Sequence, residues 1–215
     1  MEAQRQCQVQ SVTFITPETF ILRFSREGLT FQPGQYLSVG LAGHREQREY
    51  SIYSPLTADF LEILIRVVPD GKVSRQLAQT KPGDFLAVDG PFGYFLISEA
   101  QKQKPFLFIA TGTGLSPFHC LTNSLPTLNY QFLHGVRHQE EQYGYADFDR
   151  SRLVSCVTGG GGDYQGRVTQ YLRDHEWLSE TQVYLCGNCD MIYDAFDLLK
   201  EKGIPSSQIF TEVYF

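Results

Sequence analysis

The chain has 215 residues and a formal net charge of −6, with 18 lysines and arginines against 24 acidic residues. No basic run is present to track a nucleic-acid backbone, so nucleic acid is excluded as a partner. The length suits one large domain or two of about 100 residues, the 42% apolar content suits a packed core, and no apolar run approaches the ~20 residues that span a bilayer. Met1–Gln6 is polar with no apolar stretch behind it, which predicts no secretory signal and a cytoplasmic protein without membrane association.

The first half reads as short strands separated by tight turns. Strands are expected at Cys7–Ile15, Phe20–Phe24, Tyr36–Leu41, Glu49–Ser54, Phe60–Val68 and Phe85–Asp89, with a short helix from about Ser74 to Gln79. Turns fall at Thr16–Thr19, Lys81–Asp84 and Gly90–Gly93. Six strands and one helix predict a small antiparallel β-barrel. The polar stretch Ser98–Lys104 lacks apolar periodicity and is the expected linker, giving domains of 1–100 and 101–215. Beyond it strands and helices alternate. Phe106–Ala110 is apolar at every position, as a strand covered on both faces should be. Further strands at Tyr130–Leu133, Leu153–Thr158, Val183–Cys186 and Ile209–Tyr214, with helices at Val168–Arg173 and Met191–Lys202, predict a Rossmann-like five-stranded parallel sheet. Gly159–Gly162 reads as a flexible loop.

The five cysteines, Cys7, Cys120, Cys156, Cys186 and Cys189, are odd in number and scattered. That excludes a disulfide framework, an iron–sulfur cluster and a zinc site, and no metal is expected. Two segments carry more chemistry. Arg48-Glu49-Tyr50-Ser51 places a fixed cation, a flat aromatic and a hydroxyl within four residues, and Gly71-Lys72-Val73-Ser74 is a small-residue turn opening a helix. A guanidinium and a helix N-terminus suit a diphosphate, and the tyrosine suits the face of a planar ring. Together they describe a dinucleotide, with a flavin as the first candidate. In the second half, Thr111-Gly112-Thr113-Gly114-Leu115-Ser116-Pro117 follows the first strand, where ligands of open parallel sheets bind. Its glycines let the backbone approach a diphosphate, and Pro117 suits the first turn of a helix. His134-Gly135-Val136-Arg137, Arg167, Cys186-Gly187-Asn188 and Glu212-Val213-Tyr214-Phe215 fall at the same ends of later strands. Each residue also has an ordinary structural use: Tyr50 as core packing, Ser74 as a helix cap, Cys186 and Cys189 as buried apolar groups, Glu212 as a solvated strand residue, Lys72 as solvation of the turn, and the histidines as structural or surface residues.

The ordered set Arg48-x-Tyr50-Ser51, Gly71-x-x-Ser74, Gly112-x-Gly114-x-x-Pro117, Cys186-Gly187 and Glu212-x-Tyr214 resembles the ferredoxin–NADP reductase family of flavoproteins, in its bacterial-type form without an iron–sulfur domain. The resemblance covers about Val9 to Phe215. It implies an FAD-binding barrel followed by an NAD(P)-binding α/β domain. It further implies that Arg48 takes a flavin phosphate, Tyr50 lies against the isoalloxazine, and Ser51 hydrogen-bonds near N5. Gly71, Lys72, Val73 and Ser74 would cradle the FAD diphosphate. Thr111, Gly112, Thr113, Gly114 and Pro117 would meet the nicotinamide dinucleotide, with Cys186 and Gly187 near the nicotinamide. Glu212 would help position and protonate, Tyr214 would cover the second flavin face, and the terminal Phe215 would contact the cofactor. Ser51, Cys186, Glu212 and Tyr214 are the expected catalytic group.

Arg137 and Arg167 fall where bacterial-type members carry arginines for the 2′-phosphate, while a third such arginine is replaced by Thr158-Gly159. The expected nucleotide is therefore NADPH, with NADH open. The implied activity is hydride transfer from NADPH to FAD and then single-electron transfer to a ferredoxin or flavodoxin, by a monomer. The alternatives are an NAD(P)H-dependent flavin reductase, an oxygenase reductase component, or a non-catalytic flavin-binding subunit.

Overall fold

A computed structural model describes residues 5–214. The chain divides into two compact units, one up to Leu96 and the other from Ile97.

The first unit contains β1 (Arg5–Thr16), β2 (Thr19–Ser25), β3 (Tyr36–Leu41), β4 (Arg48–Ser51), β5 (Phe60–Arg66), α1 (Lys72–Leu77) and β6 (Phe85–Phe92). Period-two patterning sets the inner face: Cys7 and Val9 are buried between exposed Gln6, Gln8 and Gln10, and Phe20, Leu22 and Phe24 of β2 are all buried. The strands form one antiparallel sheet in the order β4-β3-β6-β1-β2-β5. Its two edges meet just beyond β4, where Ile52 bridges Ile63 and the Tyr53 N–H donates to the Glu62 carbonyl at 2.8 Å. The sheet thus curls into a barrel-like form whose two edges meet only at this short bridge. This is why β4 stops at Ser51 rather than at Ser54: the next residues leave β3 for β5.

Two further differences from the sequence reading have local causes. Helix α1 starts at Lys72, because Gly71 is already its extended cap residue and the Ser74 hydroxyl, inside the first turn, accepts from the Val68 N–H at 3.1 Å. Strand β6 runs through Gly90-Pro91 to Phe92 instead of turning there. A bulge absorbs the irregularity, with Ser38 opposite Asp89 and Tyr36 opposite Phe92.

The second unit contains β7 (Phe106–Thr111), α2 (Ser116–Ser124), β8 (Tyr130–Val136), β9 (Leu153–Val157), α3 (Val168–Asp174), β10 (Gln182–Asn188), α4 (Cys189–Glu201) and β11 (Ile209–Tyr214). All five strands are parallel, in the order β11-β10-β7-β8-β9. One face packs Leu107, Ile109, Leu133, Val183 and Leu185 against Val168 and Leu172 of α3 and Ile192, Ala195 and Leu199 of α4. The other face is aromatic: Phe108 stacks on Phe118 of α2 at 4.9 Å and on Tyr130 at 5.5 Å, and Phe132 lies 5.2 Å from Phe118. Much of the aromatic surplus in the composition is therefore core. Gly159–Gly162 is tied rather than loose at its flanks, since the Val157 N–H donates to the Tyr164 carbonyl (2.9 Å) and the Tyr164 N–H to the Ser155 carbonyl (3.0 Å). Asp163 accepts from both the N–H and the hydroxyl of Ser155, each at 2.8 Å.

Candidate functional site

In the first unit, Arg48–Ser51 is all of β4, paired with Val39, Ser38, Leu37 and Tyr36 of β3 in turn. Strand alternation sets Arg48 and Tyr50 on one face and Glu49 and Ser51 on the other. The Arg48 guanidinium is exposed, donates only locally to the Gln47 carbonyl (2.8 Å), and makes no ion pair among the described residues. Tyr50 is half-buried, and burial pushes its phenol up to about 12, so it stays neutral as a ring surface. Ser51 is buried, 2% exposed.

The start of α1 offers the first-turn N–H groups that a helix leaves unpaired, and no acidic side chain stands in that turn to repel an anion. Val73 and Ser74 are buried there. Lys72 pairs with Glu46, and this hydrogen bond holds the Glu46 carboxyl below its ordinary range. An exposed guanidinium beside a neutral aromatic, and a helix start with no acidic residue of its own, fit a ligand with a phosphate and a flat ring.

In the second unit the strand order reverses direction at β7: the chain goes outward to β8 and β9, then returns to β10 and β11 on the other side. The crevice beyond the carboxyl ends of β7 and β10 is the switch point at which such sheets bind nucleotides. Thr111 ends β7, Gly112–Leu115 forms a 3-10 turn, and Pro117 occupies the first turn of α2. Gly112 has φ +53°, in the left-handed region, and a Cβ there would meet no atom within 4 Å. The space over Gly112 is open to a ligand.

Gly114 is pressed onto the neighbouring loop instead. A Cβ on it would lie 2.5 Å from the Cys186 carbonyl oxygen, and one on Gly187 would lie 2.5 Å from Thr111 Oγ1. The Thr111 hydroxyl accepts from the Asn188 N–H at 3.0 Å, and Asn188 caps α4 by accepting from the Met191 N–H at 3.1 Å. The β7 and β10 loops thus form one packed assembly.

Cys186 and Glu212 face each other across β10 and β11, with Sγ 4.0 Å from Oε1, and Tyr214 pairs with Asn188. Burial first, and the Glu212 carboxylate second, push the Cys186 thiol well above its ordinary range. It is a protonated, small, polarisable group rather than a thiolate. All five cysteines are free thiols.

Arg137 follows β8, and its carbonyl accepts from the Gly159 N–H at 2.8 Å, which sets it beside Thr158-Gly159. Arg167 is the cap residue of α3. Both arginines are exposed, and neither makes an ion pair among the described residues. Phe215 lies outside the described residues.

The capping role of Asn188, the role of His134 and the residue Tyr145 were missed from sequence. An asparagine just before a helical pattern is a cap signal that could have been read. Nothing in the sequence marks His134 as fully buried, or Tyr145, eleven residues on, as its partner. Among the described residues no group of three or more His, Cys, Asp or Glu could hold a metal ion, and no helix is long and apolar enough to cross a membrane.

Comparison with known proteins bears on the family and the fold. The family described as oxidoreductase FAD-binding domain matches residues 6–97. The flavodoxin/ferredoxin–NADP reductase of Escherichia coli (strain K12) is 31% identical over 214 residues, covering 87% of this chain and 86% of its own. The toluate 1,2-dioxygenase electron transfer component of Pseudomonas putida is 27% identical, covering 99% of this chain and 68% of its own. The chain spans only 56% of the propane 2-monooxygenase reductase component of Rhodococcus jostii (strain RHA1), at 29% identity. In fold, the chain superposes with a TM-score of 0.88 on a ferredoxin NADP+ reductase from Neisseria gonorrhoeae solved with bound FAD and NADP, at 24% identity and with 100% of both chains covered.

Proposed function

The chain belongs to the ferredoxin–NADP reductase family of FAD-dependent oxidoreductases, and on that premise we propose that it takes a hydride from NADPH and delivers single electrons to a ferredoxin or flavodoxin. The observation that carries the proposal is the nucleotide crevice at the β7/β10 switch point, with Gly112 open above it and the Cys186–Glu212 pair at its β11 side. When bound, FAD supplies the capacity to accept a hydride and release electrons one at a time.

The chain's own residues do the rest. Arg48 neutralises a flavin phosphate, Tyr50 offers a ring face, and Ser51 offers a hydroxyl at the end of β4. Gly71, Val73 and Ser74 present the start of α1 to the diphosphate, and Lys72, already engaged by Glu46, adds its charge at the rim. Thr111 to Gly114 and Pro117 shape the nicotinamide dinucleotide's diphosphate site. Cys186 and Gly187 exclude water from the nicotinamide end, Glu212 helps to position and protonate there, and Tyr214 covers a ring at the open end of β11.

The proposal includes cytoplasmic location and a monomeric state. The match to dioxygenase and monooxygenase electron-transfer components favours a second acceptor class, an oxygenase component. Anaerobic reduction of the yellow FAD-loaded protein by NADPH, followed by reoxidation with ferredoxins, flavodoxins and oxygenase components, tests both. Reoxidation by free flavin alone would sink both in favour of a flavin reductase.

Two substitution tests follow from these assignments. The Michaelis constant should be lower for NADPH than for NADH. Arg137→Ala and Arg167→Ala should each raise the NADPH value about tenfold, as loss of a charge-assisted phosphate contact does. Equal constants for the two nucleotides would remove the assignment. Ser51→Ala should slow NADPH-dependent flavin reduction about tenfold or more while changing FAD retention little, because a hydroxyl acting at the reacting end stabilises charge rather than binding. Weakened FAD retention with an unchanged rate would assign Ser51 to binding instead.

A further inference from the structure

We propose that His134 is a positioning residue for the dinucleotide site: a hydrogen-bond chain from Tyr145 through His134 to the Gly112 carbonyl sets the orientation of the Gly112–Thr113 peptide for diphosphate binding. This rests on the nucleotide-site reading above and adds residues from β8 and from the segment that follows it.

His134 is completely buried on β8, opposite Ala110 of β7. Its Nε2 lies 2.8 Å from the Gly112 carbonyl oxygen and its Nδ1 lies 2.8 Å from the Tyr145 hydroxyl. A carbonyl can only accept, so Nε2 carries the proton and donates. Nδ1 is then an acceptor, and the Tyr145 hydroxyl must donate to it. The two partners therefore select one tautomer of a neutral ring. Burial keeps the ring neutral, pushing its pKa down to about 4, with the Gly112 carbonyl and Glu141 opposing. Burial likewise pushes the Tyr145 phenol up, so the donor keeps its proton.

The consequence for the loop is geometric. In a trans peptide the C=O and the following N–H point in opposite directions. Drawing the Gly112 carbonyl onto His134 therefore turns the Thr113 N–H away from the buried ring. Thr113 lies in the opening of the 3-10 turn Gly112–Leu115, where N–H groups lack partners within the turn and suit an anion. Gly112, at φ +53° with open space around it, can adopt either orientation of this peptide at small cost. Something must hold one, and the imidazole does.

The donor is itself anchored. Tyr145 opens a 3-10 turn, Tyr145–Asp147, whose Asp147 pairs with buried His119 of α2 at 3.1 Å, and Arg150 lies 5.0 Å over the Tyr145 ring.

The test is titration of NADP+ into the FAD-loaded protein, followed by difference absorbance, for wild type, His134→Phe, His134→Gln and Tyr145→Phe. FAD content and urea midpoints are measured alongside. His134→Phe should weaken NADP+ binding about tenfold, the scale of one lost hydrogen bond. Gln keeps an N–H at the reach of Nε2 and should restore affinity to within about threefold of wild type. Tyr145→Phe removes a single oxygen and should weaken binding about threefold, and it decides the question should His134→Phe fail to fold. In each variant KM for NADPH should follow the dissociation constant, while kcat at saturation moves less. Independently, 15N ring shifts of His134 at pH 7 should report the Nε2–H tautomer. Wild-type affinity in both His134→Phe and Tyr145→Phe, equal loss in His134→Gln and His134→Phe, or an Nδ1–H tautomer would each overturn the inference. A wild-type protein that binds neither NADP+ nor NAD+ would instead overturn the nucleotide-site reading, and this inference with it.

Discussion

Gly187→Ala is expected to destabilise the protein by about 3–5 kcal/mol, the sum of left-handed backbone strain and overpacking, and to abolish NADP+ binding. The residue has φ +125°, and a Cβ there would meet Thr111 Oγ1 at 2.5 Å and the Thr111 carbonyl oxygen at 2.8 Å. Neither can yield cheaply. Thr111 ends the central strand, and its hydroxyl already accepts from the Asn188 N–H. Pushing it aside would separate the β7 loop from the β10 loop and disturb Gly114, which rests on the Cys186 carbonyl. Urea denaturation gives the stability loss, and NADP+ titration of the surviving folded fraction gives the binding loss. A loss under about 1 kcal/mol would mean that the two loops are less tightly packed than this geometry requires.

Acidification from pH 7 to pH 4 should remove about 3 kcal/mol of stability through His134 alone. The ring's pKa falls from 6.5 in the unfolded chain to about 4 in the folded one, mainly because burial penalises its charged form. A group whose folded pKa is depressed contributes stability above the unfolded pKa and loses it as pH falls toward the folded value. The window is therefore pH 6.5 to 4. The groups facing the ring are the Tyr145 hydroxyl, the Gly112 carbonyl, the rings of Tyr143 and Phe132 and, more distantly, Glu141, whose charge opposes the shift. Asp147 and Asp149, held below the ordinary carboxyl value of 3.8 by hydrogen bonds from His119 and Ser151, begin to lose their contributions at the acid end of this window and lose most of them beneath it. Urea midpoints at pH 7, 5 and 4 for wild type and His134→Gln isolate the effect, since the variant cannot titrate there. Parallel pH curves for the two proteins would refute the assignment.

Much of the fold could be read because its signals are local. The alternation of Cys7 and Val9 with glutamines, and the unbroken apolar run Phe106–Ala110, report one-sided and two-sided burial directly. Element ends were less legible. Ile52 and Tyr53 look like a continuation of β4, but they bond to β5 and join the two edges of the sheet. Ser74 looks like a helix cap, but its hydroxyl reaches outside the helix to Val68. The glycines at 112, 114 and 187 stood out as permissive residues at strand ends. Which two bear a close contact and which one faces open space depends on the neighbouring loop.

The sequence by itself determined the two-domain division of strand patterns, the parallel and antiparallel classes of the sheets, and the residue types at each strand end. These follow from periodicity and turn chemistry, which act over a few neighbours. Strand order, by contrast, is a long-range choice. It alone sets β10 beside β7, brings Cys186 opposite Glu212, and makes the switch point. The tautomer of His134 is a tertiary property for the same reason: its two partners, Gly112 and Tyr145, lie 22 and 11 residues away. Only the packed sheet removes the water that would otherwise let the ring exchange its proton.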